Sequence, residues 1–100
     1  GSSLFQVAVN ERRLGKVQYR RPYGTAWEEI SWDEAIKKIA RRVKESRDAT
    51  FQEKEGEVTV NRTPGLASLG GAALDNEECY VLSKFMRTLG VTYIEHQARI

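Results

Sequence analysis

The amino-acid sequence predicts an α/β fold that forms part of a larger domain, with two amphipathic helices, a short parallel sheet and an extended N-terminal arm. Apolar residues recur at helical spacing after Ser31 and again after Asp75, which predicts two helices with one apolar face each. A strand–helix–strand order then runs through residues 66–96, and such a crossover joins parallel neighbours in a sheet. We therefore divide the chain into an arm, residues 1–30, and one partial α/β folding unit, residues 31–100.

The length and composition are those of one small globular unit. The 100 residues include 16 basic and 14 acidic side chains, and a net charge of +2 is too small to indicate nucleic-acid binding. Cys79 is the single cysteine, so no internal disulfide can form and the redox compartment stays unassigned. No apolar run in the sequence approaches the about 20 residues of a membrane-spanning helix. Both an enzyme and a binding module remain open.

The arm changes character along its length. Residues 4–9 are largely apolar, and the residues that follow are rich in arginine and lysine. Pro22 and Gly24 interrupt any regular pattern. We predict an irregular or extended segment that lies against other structure, because such a segment is poorly ordered alone.

The first helix begins after Ser31. Ser31 and Glu34 have the spacing of a capping box, in which the hydroxyl and the carboxylate each accept a backbone N–H. The apolar stripe of this helix comprises Trp32, Ala35, Ile36, Ile39, Ala40 and Val43. The opposite face offers ion pairs at i,i+4 spacing, namely Asp33 with Lys37, Glu34 with Lys38, and Arg41 with Glu45.

Turns and short strands lead to the second helix. Gly56 predicts a turn before a short strand, and residues 66–69 form another strand that ends at Gly70 and Gly71. Asp75 is the predicted N-cap of the second helix. Glu78 completes its capping box, Gly90 is its predicted C′ residue, and its apolar face comprises Cys79, Leu82, Phe85, Met86 and Leu89.

One edge of the predicted sheet is a candidate ligand site. α/β folds bind ligands at the carboxyl ends of their parallel strands. Gly70 and Gly71 leave the first parallel strand, and the stretch from Gln97 to Arg99 leaves the second. Both loops should therefore open on the same edge.

Single residues near this edge allow more than one interpretation. The two glycines could cradle a phosphate, but the acidic start of the helix favours an ordinary turn. Cys79 could be a nucleophile, yet its place on the apolar face favours a buried inert thiol. His96 is the single histidine, and we expect a structural role rather than catalysis or metal binding. We assign no catalytic and no metal-binding residue within the chain.

Three stretches of the sequence resemble the molybdopterin oxidoreductases. They are ISWDEAIKKIA, LASLGGAALDNEECYVLSKFMRTLG and IEHQARI, in this order. Within that superfamily they are most similar to the catalytic subunit of formate dehydrogenase. The link RDATF…VNR between helix and strand resembles its respiratory, often selenocysteine-containing branch. The first stretch is shared widely, whereas the pattern NEE.Y…K..R followed by QAR is more specific.

The resemblance implies a function for a parent enzyme and an inactive role for this chain alone. The parent oxidises formate to carbon dioxide at molybdenum or tungsten held by two pterin guanine dinucleotides, and electrons leave through a 4Fe-4S cluster. In such proteins the residue at the Gln97 position contacts the pterin cofactor, and Arg99 lies in the same turn. The ligating cysteine or selenocysteine would follow Ile100, and the cluster cysteines would precede the chain.

The same resemblance implies the partners and the compartment. The chain would join the remainder of the catalytic subunit, which in turn meets an iron–sulfur electron-transfer subunit, in the periplasm rather than the cytoplasm. Alone it would self-associate, without nucleic acid and without entering a membrane. A UGA codon read as a stop after Ile100 and a deliberately chosen domain boundary are alternative explanations for where the sequence ends.

A standalone binding module is the alternative from another functional class. The basic arm would then grip an acidic or nucleic-acid partner, with an affinity that falls steeply as salt rises.

Overall fold

The computed structural model describes residues 1–96 and shows a mixed α/β chain, as predicted. It forms two compact units, Gly1–Ile39 and a second that begins at Ala40. The helices are α1 (Leu4–Ala8), α2 (Trp32–Thr50) and α3 (Asn76–Thr88). The strands are β1 (Gln18–Tyr19), β2 (Glu28–Glu29), β3 (Gln52–Glu55), β4 (Val58–Arg62), β5 (Ala67–Leu69) and β6 (Tyr93–Glu95).

The first unit contains structure that the prediction of an extended arm missed. Helix α1 is five residues long, too short for an apolar period to reveal it. Strands β1 and β2 pair antiparallel through only two residues each. Exposed ion pairs flank this ladder, with Lys16 Nζ 2.9 Å from Glu29 Oε1 and Arg21 Nε 3.1 Å from Glu28 Oε1.

Helix α2 begins at the predicted cap. The backbone N–H of Glu34 donates to Ser31 Oγ at 3.2 Å. Of the three predicted ion pairs, the structure has the one between Glu34 and Lys38, at 3.4 Å. Two unpredicted pairs also lie on the polar face, Arg42 with Glu45 and Lys44 with Asp48.

The apolar stripe of α2 is real but mostly uncovered. Ala35 is buried, whereas the side chains of Trp32, Ile36 and Ile39 are 69%, 58% and 63% exposed. Helical spacing therefore identified the apolar face correctly, but these residues do not form a core within this chain.

In the second unit, a β3–β4 hairpin follows the end of α2. The two strands pair antiparallel, and Gly56 occupies the turn with φ +60°, as predicted. Strand β3 was missed because all four of its residues are polar or charged and exposed. Arg62 links the two strands by donating to Gln52 Oε1 at 2.7 Å and to Glu55 Oε1 at 2.9 Å.

The strand–helix–strand unit has the predicted parallel topology. Strands β5 and β6 pair in parallel, with Ser68 opposite Ile94. Helix α3 lies between them in the chain and begins with the predicted capping box, in which Glu78 N donates to Asp75 Oδ1 at 2.8 Å and Asp75 N donates to Glu78 Oε2 at 3.2 Å.

A buried turn joins the end of β4 to the start of β6. Thr63 is fully buried, its backbone N–H donates to Gly90 O at 2.7 Å, and its Oγ1 donates to Leu89 O at 2.7 Å. Gly90 follows α3 in the left-handed conformation, φ +79°, which confirms the predicted C′ glycine. This corner fixes where β6 begins.

No helix among residues 1–96 is long and apolar enough to cross a membrane.

Candidate functional site

The candidate site is the edge where β5 and β6 end together. Leu69 is opposite Glu95 in the parallel ladder, and Gly70 N continues it by donating to Glu95 O at 2.8 Å. The chain therefore leaves both strands at one edge, as predicted. Backbone pairing supports this arrangement, whereas the side chain of Leu69 adds little packing because the residue is 86% exposed.

The two glycines at this edge have different surroundings. A Cβ on Gly70 would lie 2.9 Å from His96 Cδ2 and 3.4 Å from Glu95 O. A Cβ on Gly71 would have no atom of residues 1–96 within 4 Å. Gly70 thus lies against the half-buried His96 ring, whereas Gly71 has no such neighbour in the described part of the chain.

The predicted cofactor-binding residues, Gln97 and Arg99, lie outside the described residues. Their proposed contact with a pterin cofactor stays a prediction. What the structure supplies is the strand pair that leads to them, because residue 97 follows His96 at this edge.

The start of α3 favours an ordinary turn over a phosphate cradle. The Asp75 carboxylate already accepts the N–H of Glu78, and Glu77 and Glu78 place negative charge in the first turn. The prediction of a buried thiol at Cys79 is wrong, since this residue is half-buried. The apolar face of α3 is only partly covered, as Phe85 shows at 58% exposed.

Within residues 1–96, no group of three or more His, Cys, Asp or Glu side chains could hold a metal ion.

The basic residues of the arm are largely engaged inside the first unit. Lys16 and Arg21 pair with acidic residues of β2, and the Arg20 guanidinium lies 5.1 Å from the centre of the Trp27 ring. Arg13 donates to Ala8 O at 3.0 Å. Basic side chains that already pair with carboxylates and carbonyls of the same unit attract a polyanion less strongly.

Sequence reasoning missed two features that position β6, namely the burial of Thr63 before its start and the contact between Gly70 and His96 at its end. Thr63 lies in a polar stretch with no periodicity, so nothing in its neighbourhood predicts full burial. The contact between Gly70 and His96 joins residues 26 apart in sequence, although a glycine at a strand end is a recognisable signal of close approach.

Comparison with known proteins identifies the class as a segment of an oxidoreductase subunit. No family model matches the chain. Along its whole length, however, the chain is similar to one segment of the alpha or major subunits of formate dehydrogenases. It belongs to that family as such a segment, and it spans about a tenth of the length of the curated relatives it matches.

Three relatives show how similar the chain is to this family. The chain is 52% identical over 102 residues to formate dehydrogenase subunit alpha of Megalodesulfovibrio gigas. It is 42% identical over 101 residues to formate dehydrogenase 2 subunit alpha (cytochrome c-553) of Nitratidesulfovibrio vulgaris. It is 41% identical over 102 residues to the formate dehydrogenase-O major subunit of Escherichia coli. Each match covers 100% of this chain and 10% of the relative.

Proposed function

We propose that this chain is the part of a formate dehydrogenase catalytic subunit that leads the backbone to the pterin-bound metal. The observation that carries the proposal is the identity of 38–52% along essentially the whole chain with alpha or major subunits of formate dehydrogenases. The parallel β5–β6 pair supports it, because ligands of α/β folds bind where such strands end.

Two features of this edge support the proposed cofactor contact. A Cβ on Gly71 would have no atom of residues 1–96 within 4 Å, and Gln97 and Arg99 come next along the chain from β6. Gln97 would bind and orient the pterin through its side-chain amide, which has both donors and an acceptor. Arg99 would offer a positive charge to an anionic part of the cofactor.

The proposed reaction is the oxidation of formate. Oxidation of formate yields carbon dioxide, one proton and two electrons. The bis(molybdopterin guanine dinucleotide) centre with molybdenum or tungsten would be the electron acceptor. A 4Fe-4S cluster and an iron–sulfur partner subunit would carry the electrons away. This chain would supply binding and orientation only, as Cys79 is its single cysteine.

The uncovered apolar faces support a role as one part of a larger subunit. Ile36 and Ile39 on α2, and Val81 and Phe85 on α3, are each more than half exposed. Such faces bury themselves against other protein, here the remainder of the catalytic subunit. Alone, the chain is expected to self-associate, which light scattering after size exclusion would measure.

The decisive experiment uses the whole subunit that contains this segment. It should hold molybdenum or tungsten with pterin, measured by elemental analysis and cofactor extraction, and should reduce a viologen dye when formate is added. The 100-residue chain alone is the control and should do neither, since a site without its ligands and supporting residues cannot assemble. A whole subunit without metal or formate-dependent activity would contradict the proposal.

The codons after that of Ile100 test the proposed metal ligand. TGA or a cysteine codon in frame, followed by a histidine codon, supports it. The family likeness also favours a periplasmic location for the parent, which cell fractionation would measure.

Binding of labelled DNA at two salt concentrations tests the alternative of a basic binding module. We expect no tight, salt-sensitive binding, because the basic residues of the arm are already paired.

A further inference from the structure

We propose that Gly70 and His96 form a positioning contact that fixes the end of β6. This inference rests on the proposed function, since β6 ends immediately before the residues assigned to the cofactor in the sequence. Neither residue would touch the cofactor. Each would act through the backbone that follows β6.

Two observations place the contact. Gly70 N donates to Glu95 O at 2.8 Å, one step beyond the last residue pair of the parallel ladder. The His96 ring then lies so close to Gly70 that a Cβ there would be 2.9 Å from His96 Cδ2. Real Cβ atoms do not approach this closely, so any side chain at position 70 must displace the ring.

The requirement for glycine at position 70 is spatial rather than conformational. Gly56 and Gly90 are the glycines with positive φ in the described part of the chain, so alanine at position 70 would face no left-handed backbone strain. The displaced atom belongs to a side chain and not to the backbone, so the ring rather than the main chain has to move. Substitution should therefore shift the exit of β6 without unfolding the unit.

Gly71 provides a matched control one residue away. A Cβ there would have no atom of residues 1–96 within 4 Å, and Gly71 too lies outside the positive-φ region. Gly70→Ala and Gly71→Ala thus add the same methyl group to the same loop. Only the first touches His96.

The experiment measures amide hydrogen exchange in the whole subunit, which does not depend on a bound cofactor. In Gly70→Ala the amide at position 70 should exchange about two- to tenfold faster than in the wild type, after correction for the residue change, because the displaced ring strains the bond to Glu95 O. Gly71→Ala should leave that amide unchanged. In the Gly70→Ala/His96→Ala double variant the rate should return to that of His96→Ala, because the new methyl group then fills the space of the ring.

Metal and pterin content of the same variants reports on function. A loss in Gly70→Ala supports a role of the contact in cofactor binding, and Gly71→Ala serves as the control for the exchange measurement. Equal exchange in the two glycine variants, or no recovery in the double variant, would overturn the contact. A wild-type subunit without metal would refute the proposed function, while the exchange comparison would still decide whether the contact exists.

Discussion

The two ends of β6 are held in different ways. At its start, Thr63 is fully buried and binds both Leu89 O and Gly90 O at 2.7 Å. At its end, Gly70 N donates to Glu95 O at 2.8 Å, and Gly70 lies against the half-buried His96 ring. The start therefore depends on a buried hydroxyl. The end depends on a glycine, because any side chain at position 70 would collide with the ring.

The largest expected effect comes from Gly90→Ala at the start of β6. Alanine at φ +79° is strained, and its Cβ would lie 2.7 Å from Asn61 O, a backbone atom that cannot turn away. We expect the free energy of unfolding to fall by about 3 kcal/mol. Urea unfolding of dilute chain followed by circular dichroism measures it, with Gly71→Ala as the control. Equal stability of the two variants would show that this corner is more adaptable than its contacts indicate.

Thr63→Val tests the buried hydroxyl at the same corner. It leaves Leu89 O without its side-chain donor, and an unpaired buried carbonyl costs about 1–3 kcal/mol in unfolding free energy. Thr88→Val is the matched control, because the exposed Thr88 Oγ1 also donates to a helix carbonyl, Lys84 O, at 2.7 Å. The control should change stability by less than about 0.5 kcal/mol. If both variants lose the same free energy of unfolding, the burial of Thr63 does not explain its contribution to stability.

Features that depend on local spacing and chain order were predicted from the sequence, and features that depend on long-range contacts were not. The capping box of Asp75 and Glu78 and the parallel β5–β6 pair were predicted, because local spacing and chain order determine them. Strand β3 was missed because hydrogen bonds to β4 hold it without any apolar alternation. The burial of Thr63 was missed because it depends on Gly90, which is 27 residues away in sequence.

The periodicity of the apolar residues also could not predict whether the apolar faces are buried. The spacing of Ile36 and Ile39 shows that one face of α2 is apolar, but spacing carries no information about what covers that face. At the candidate site the sequence predicted the shared edge of the two strands. It could not predict the contact between Gly70 and His96, because that contact depends on the register of β5 against β6.

Asp75→Ala weakens α3, the helix that lies between β5 and β6 in the chain. It removes the acceptor for Glu78 N, and loss of an N-cap costs about 1 kcal/mol in unfolding free energy. Asp75→Asn should retain most of the stability, because its side-chain oxygen still caps the helix. Urea unfolding of the three proteins measures this. Equal losses in both variants would mean that charge, and not the hydrogen bond, gives the cap its value.

The smallest effect is expected for Arg62→Gln, immediately before Thr63. Its guanidinium bonds Gln52 and Glu55 across the hairpin, but Glu55 is 64% exposed, and such ion pairs contribute at most about 1 kcal/mol. Lys54→Gln is the control, because it removes the same charge from the same hairpin. Among residues 1–96, Lys54 forms no ion pair. The difference between the two variants in urea unfolding should shrink as sodium chloride is added, since salt screens exposed charges. A difference that persists in high salt would mean that Arg62 acts through its packing beside Thr63, and the buried corner at the start of β6 would then extend one residue further into β4.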